Sequence, residues 1–221
     1  MMLTDAHTHA VPRDPDRIAM VNLTPGMEPE TGQPDGKLFF SCGIHPADAK
    51  HFSVDELCET LRKVPCSALG ECGLDALVPI PQEQQEKLFQ EQIILAEELH
   101  LPMIIHCIRK HYDLIRLRKK CSARMPWLIH GFRGKPELGK TLLKAGCLLS
   151  LSPVWLLHQT EFPGWLPQNA FLLETDESNL SLQEIYLHAA KLRHEPQETL
   201  AELLQQNFRQ FICAGVHQPG L

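Results

Sequence analysis

Eight short apolar runs with β-strand character, most of them separated by stretches of helical periodicity, restrict what this chain can fold into more than any other feature. The runs are read as strands at about 3–9, 18–23, 38–45, 66–75, 101–107, 127–132, 147–153 and 171–176. Strands that alternate with helices pair in parallel, because the crossover carries the chain back to the same end of the sheet. Eight such units predict an α/β fold, a (β/α)8 TIM-type barrel, built from residues 1–221 as one domain. Ser53 with Glu56 and Ser181 with Glu184 have the spacing of capping boxes that start helices. Leu88, Phe89, Ile93, Ala96 and Leu99 trace one helical face, and Leu200, Leu203, Leu204, Phe208 and Phe211 trace another, opened by Pro196. Weaker helical patterns cover 111–120, 136–145 and 154–159.

The front of the chain departs from a regular barrel. Only about eight residues join the first two strands, and the next connection, TPGMEPETGQPDGK, is too rich in proline and glycine for a helix. The barrel is therefore expected to be distorted or incomplete, lacking helices after its first two strands. A flank left bare in this way would suit a second subunit, a possible homodimer. Segment 24–37 follows a strand end and is read either as a lid over the barrel mouth or as a surface connection.

Net charge is −6 from 21 basic and 27 acidic residues, which argues against a broad basic face for nucleic acid. No apolar run reaches the roughly 18 residues of a membrane span, and the first residues lack a basic-then-apolar signal pattern. A cytoplasmic protein without a membrane partner is expected. The eight cysteines contain no C-x-x-C pair and are read as reduced, with Cys72 and Cys107 turned toward the helix layer.

Chemistry collects at the strand ends. Asp5, His7 and His9 alternate, and residues two apart on a strand share a face. Glu71, His106, His130 and Asp176 each end an apolar run, where barrel active sites lie. Singly, each is an ordinary polar residue. Together they would meet at one mouth, and buried charges need partners or a metal. Four imidazoles and two carboxylates exceed one tetrahedral ion and suit two. The expected arrangement has His7, His9 and Asp176 on one ion, His106 and His130 on the other, and Glu71 bridging with its two oxygens. Asp176 is also the candidate general base for a water between the ions. Imidazole-rich coordination favours zinc, manganese or iron over an all-oxygen magnesium site. The expected cofactor is two divalent metal ions, zinc or manganese first, with magnesium kept as a candidate.

The ordered set D-A-H-T-H, G-I-H-P, G-E-C-G-L-D, P-M-I-I-H, H-G-F-R-G and E-T-D resembles the TatD family of metal-dependent hydrolases, barrel members of the wider amidohydrolase superfamily commonly described as deoxyribonucleases. The likeness runs from Asp5 to about Phe211. It implies the metal positions His7, His9, Glu71, His106, His130 and Asp176, and two-metal hydrolysis of a phosphodiester, with DNA ends as a possible substrate. It also implies a substrate contact or supporting role for His45.

Two departures from the family pattern stand out. Ile108 occupies a position where the family usually has a phosphate-binding arginine, and Arg109 or Arg133 would have to restore that contact. After Asp176 comes Glu177, and the usual long substrate loop is short. These departures leave two other readings open: hydrolysis of a C–N, ester or lactone bond, or a catalytically impaired metal-binding accessory protein. Among smaller features, Asp5 and Glu174 are read as supports behind the ligands. The basic run Arg109, Lys110, Arg116, Arg118, Lys119 and Lys120 is read as a solvated helix face before a phosphodiester track. Trp155, Phe162 and Trp165 are read as ordinary core before base-stacking groups.

Overall fold

The eight apolar runs become eight parallel strands: β1 (Leu3–Thr8), β2 (Arg17–Leu23), β3 (Leu38–Cys42), β4 (Ala68–Asp75), β5 (Met103–Ile108), β6 (Trp127–Phe132), β7 (Cys147–Leu151) and β8 (Phe171–Leu173). The computed structural model describes residues 1–12, 14, 16–29 and 36–214. Neighbours pair in chain order from β1 to β8. The ring closes where Thr8 bridges Asp176 and the Asp176 N–H donates to the His7 carbonyl at 3.0 Å. Every residue of β1 and β4 is buried, as expected for parallel strands covered on both faces.

Helices follow the strands from β3 onward: α1 (Val54–Lys63), α2 (Gln82–Glu98), α3 (His111–Lys120), α4 (Pro136–Lys144), α5 (Pro153–Leu157), α6 (Leu182–Arg193) and α7 (Gln197–Cys213). Both capping boxes form. Ser53 and Ser181 accept from the N–H groups of Glu56 and Glu184, whose carboxylates accept in return from the cap backbone. Among the described residues no helix lies between β1 and β2 or between β2 and β3, so the missing helices follow from the short and proline-rich connections.

The flank is nevertheless covered from within the chain. Phe208 of α7 meets Phe39 of β3 edge-on at 5.5 Å, and Asn207 donates to the carbonyls of Gln168 and Phe171 at the start of β8. Helix α7 thus spans from β8 to β3, and Leu200, Leu204, Phe208 and Phe211 are buried beneath it. Each such side chain contributes about 1.5–3 kcal/mol relative to exposure. Ile18, Ala19, Met20 and Val21 of β2 are buried as well. A bare flank is therefore no reason to invoke a second subunit.

Strands β3 and β8 stop earlier than the apolar runs suggest, because the residues beyond them turn toward the barrel mouth. His45 caps a short 3₁₀ turn at Pro46–Asp48, and Asp176 adopts a left-handed backbone with φ 52°. Of segment 24–37, residues 30–35 lie outside the described residues. Among the described residues no helix is long and apolar enough to cross a membrane. All eight cysteines are free, and burial pushes the Cys66 and Cys107 thiols up to about 12.

Candidate metal centre

The C-terminal ends of the strands surround a cavity of about 470 Å³ whose lining includes His9, His45, Glu71, His106, His130 and Asp176. His7 reaches the same point from β1 but is fully buried. At the middle is Glu71, delivered by β4, with its two oxygens divided between two pairs of imidazoles. Oε1 lies 2.7 Å from His106 Nδ1 and 2.8 Å from His130 Nε2. Oε2 lies 3.4 Å from His7 Nε2 and 3.5 Å from His9 Nε2. Asp176 Oδ1 stands on the outer side, 3.8 Å from His7 Nε2 and 3.6 Å from His9 Nε2. The structure thus brings together all six residues singled out at the strand ends. Within the cluster, His7, His9 and Asp176 present mutually close ligand atoms, as do His7, Glu71 and His130.

Each inner imidazole is backed by a carboxylate. His130 directs Nε2 at Glu71 and Nδ1 toward Glu174 at 3.7 Å, while Glu174 Oε1 accepts from the Gly131 N–H at 2.6 Å. His106 directs Nδ1 at Glu71 and Nε2 at Asp75 Oδ2, 3.1 Å away. A carboxylate behind a ligating histidine fixes its orientation and raises its basicity. Asp75 escaped the sequence reading although a signal was present, since Glu71, Gly73 and Asp75 are spaced by two along β4. Gly73 makes the approach possible: at φ 145° a Cβ there would collide with the His106 carbonyl.

Asp5 supports the site from one side rather than entering it. Its carboxylate accepts from the Thr175 N–H and hydroxyl at 2.8 and 2.7 Å and pairs with Arg17. That tie holds the residue immediately before Asp176. Asn22 of β2, also unanticipated, accepts from the Glu71 N–H at 2.6 Å and from the Ser41 hydroxyl. Two buried glutamines on α2, two helical turns apart, pin the strand ends. Gln85 exchanges hydrogen bonds with the Asp75 backbone, and Gln92 with that of Ile44.

Electrostatics match the geometry. Burial alone would raise Glu71, but His130 opposite it and hydrogen bonds to His106 and His130 hold it well below the usual carboxylate range. Hydrogen bonds to Asp176 and Glu71 push His9 up to about 9. Burial works against a charge on His130, yet Glu71 and Glu174 drive its affinity for protons well up. Positive charge is strongly favoured here, and protons and cations compete for the same lone pairs. Both ring nitrogens of His7 are buried without a hydrogen-bond partner, which costs free energy unless something else coordinates them. The donor set, imidazoles and carboxylates, fits divalent transition ions.

The second group of predicted residues separates. His45 joins the cavity: its Nδ1 accepts from the Ala47 N–H at 3.1 Å, leaving Nε2 as the proton-bearing atom, 3.6 Å from Glu71 Oε1. Burial lowers its pKa, so it stays neutral. Arg109 and Arg133 are exposed and do not line the cavity, and among the described residues neither does any other lysine or arginine. Thr24 and Met27 from the proline-rich segment do line it, with Asp48 and Glu177 adding acidic charge. Of the basic run, Arg109, Arg116, Lys119 and Lys120 are exposed, and Arg118 alone is buried. Arg118 is buried over Trp127 and donates to the Ala145 and Met125 carbonyls, and Arg116 pairs with Glu86.

Comparison with known proteins agrees with this picture. Residues 29–213 match the family model described as TatD related DNase. A protein from Citrobacter koseri named 3′-5′ ssDNA/RNA exonuclease TatD is 29% identical over 168 residues, 71% of this chain and 64% of that protein. Its Klebsiella pneumoniae counterpart is 32% identical and covered to 63%, so the chain spans somewhat less than two thirds of these relatives. YjjV of Escherichia coli, named an uncharacterized metal-dependent hydrolase, is 28% identical over 77% of this chain and 74% of its own length. The crystal structure of a YjjV protein from the same species shares the fold, with a TM-score of 0.70 at 22% identity, covering 87% of this chain and 85% of that one. With most of its length matched by that model, the chain belongs to the TatD-related DNase family.

Proposed function

We propose that this protein is a two-metal hydrolase that cleaves phosphodiester bonds and acts on the ends of single-stranded nucleic acid. His7, His9 and Asp176 would hold one divalent ion, His106 and His130 the other, and Glu71 both. The observation that carries this reading is the division of the Glu71 oxygens between two imidazole pairs. When bound, such ions supply Lewis acidity toward a phosphoryl oxygen and bring the pKa of a water near neutrality. Asp176, partly open to solvent at the rim, accepts the proton of the attacking water. His45, neutral and donating through Nε2, holds a non-bridging phosphoryl oxygen. Asp75 and Glu174 keep the inner imidazoles turned toward the centre. The names of the exonuclease relatives support the choice of a nucleic-acid end. Eight free cysteines support action in the reducing cytoplasm.

The experiment is hydrolysis of bis-p-nitrophenyl phosphate by the chain loaded with Mn²⁺ or Zn²⁺, followed by digestion of 3′-labelled single-stranded DNA. Turnover that Asp176→Asn abolishes supports the reading. A metal-loaded chain inert toward both substrates would point to the impaired accessory protein instead.

A further inference from the structure

We propose that a second cleft beside the metal centre binds one nucleotide of a single-stranded nucleic acid, with its base on Trp155 and Trp165 and its phosphate on Arg133 and Lys135. This rests on the phosphodiester reading above and adds to it a place for the strand to lie.

The cleft has a volume of about 350 Å³ and is lined by Arg133, Lys135, Trp155, Gln159, Glu161 and Trp165 among others. That volume is at the lower end of small-ligand sites. Its aromatic walls are fixed. The rings of Trp155 and Trp165 meet Phe132 edge-on at 6.3 and 6.1 Å, and both indoles remain half-buried, with a side open to the cleft. The third aromatic of the region goes elsewhere: Phe162 packs on Phe171 beneath the Arg193 guanidinium. Gly139 lies inside α4, where glycine is less stable than alanine. The place its Cβ would take is occupied by the Trp165 ring. The helix therefore has room for the indole where an alanine would push it away.

Charge distinguishes this cleft from the central cavity. Arg133 and Lys135 are exposed, and neither has an ion-pair partner among the described residues. With Glu161 as the charged group against them, the cleft is net positive, whereas the central cavity is lined by Asp48, Glu71, Asp176 and Glu177 with no lysine or arginine. A polyanion approaching two cations needs its strand held where positive charge is fixed in the protein. Aromatic faces beside unpaired cations are the arrangement that grips single strands without reading sequence. Gln159 and Glu161 supply acceptors for an N–H on the edge of a base, such as thymine N3–H.

Reach is set by one strand. Strand β6 and the residue after it carry both His130, at the centre, and Arg133, in the cleft. Three residues separate their Cα atoms by at most about 11 Å. A chain whose end sits at the metal centre can therefore place a neighbouring nucleotide in the cleft.

The test is fluorescence-anisotropy binding of 5′-labelled phosphorothioate octathymidylate, which resists cleavage, to the metal-loaded chain, so that affinity is read without turnover. Trp165→Leu is expected to weaken binding about 5- to 150-fold. It also removes packing on Phe132, so a second variant changes only exposed groups. Arg133→Ala with Lys135→Ala should lower the salt slope by about 0.7, the share of the one phosphate they hold. Unchanged affinity and slope in that double variant overturns the proposal, as does absence of binding by the native chain. Hydrolysis of bis-p-nitrophenyl phosphate by the metal-loaded native chain separates the two readings. Hydrolysis without cleft-dependent binding removes the cleft alone; cleft-dependent binding without hydrolysis removes the diesterase alone.

Discussion

Gln92 offers a quantitative test of how the barrel holds His45. It sits on α2 with 1% exposure, and its side-chain amide pairs with both backbone polar groups of Ile44, accepting from the N–H at 2.8 Å and donating to the carbonyl at 3.1 Å. Gln92→Met keeps the side chain's length and fills nearly the same space but makes neither bond. Two buried backbone groups are then stranded, each costing about 1–3 kcal/mol, partly offset by the apolar replacement. A net loss of about 3 kcal/mol is expected. In a chain of this size 1 kcal/mol shifts the melting temperature by about 2–4 °C, so the midpoint should fall by about 6–12 °C. Ile44 immediately precedes His45, whose imidazole packs edge-on against His106 at 4.3 Å. Hydrolysis of a diester should drop by about 100-fold, the cost of a misplaced group near the reacting atoms, while the metal content of the folded protein is unchanged. Calorimetry and elemental analysis of the same preparation check both parts. A midpoint within about 2 °C of native would show that Gln92 does not hold this turn and that the reasoning from buried backbone groups fails here.

Other expectations follow from the same geometry. Asp75→Asn keeps the shape but removes the negative charge behind His106, and metal affinity measured against a competing chelator should fall about 10- to 100-fold; native affinity would show that the charge behind His106 does not tune it. Saturating Mn²⁺ or Zn²⁺ at about 100 times its dissociation constant should stabilise the fold by about 2.7 kcal/mol, and excess chelator should reverse it in a thermal scan. His111, at the first position of α3, is kept below its ordinary pKa by burial. The folded state therefore resists a proton that the unfolded chain accepts, so this contribution to stability is present above pH of about 6.5 and lost as pH falls below it. The urea midpoint should drop more between pH 7.5 and 5.5 in the native chain than in His111→Asn, since the site histidines titrate in both and cancel; equal drops would remove the assignment.

Much of this molecule was legible in its residues because the signals were periodic. Apolar runs alternating with helical faces gave the eight strands. The short link after β1 and the proline-rich link after β2 predicted connections without a helix, and none is present there among the described residues. The six strand-end candidates stood out because His, Glu and Asp recurred at one kind of position. Asn22, Gln85 and Gln92 did not, because each acts through a partner elsewhere in the chain: Glu71 and the backbones of Asp75 and Ile44. A lone polar residue on a strand or helix gives no local sign of such a partner. The cover provided by α7 was hidden for a related reason. Periodicity shows that a helix has a buried face, and its length and the position of Phe208 decide which strands that face reaches. Arg109 and Arg133 were linked to phosphate by residue type alone, and the turns after β5 and β6 place both outside the central cavity.

The proposed two-ion arrangement around Glu71 is open to direct inspection by anomalous scattering from crystals grown with Mn²⁺ or Zn²⁺. Two peaks are expected, one in contact with Glu71 Oε1 between His106 and His130, the other in contact with Oε2 between His7, His9 and Asp176. A single peak, or peaks that leave Glu71 uncoordinated, would contradict the account.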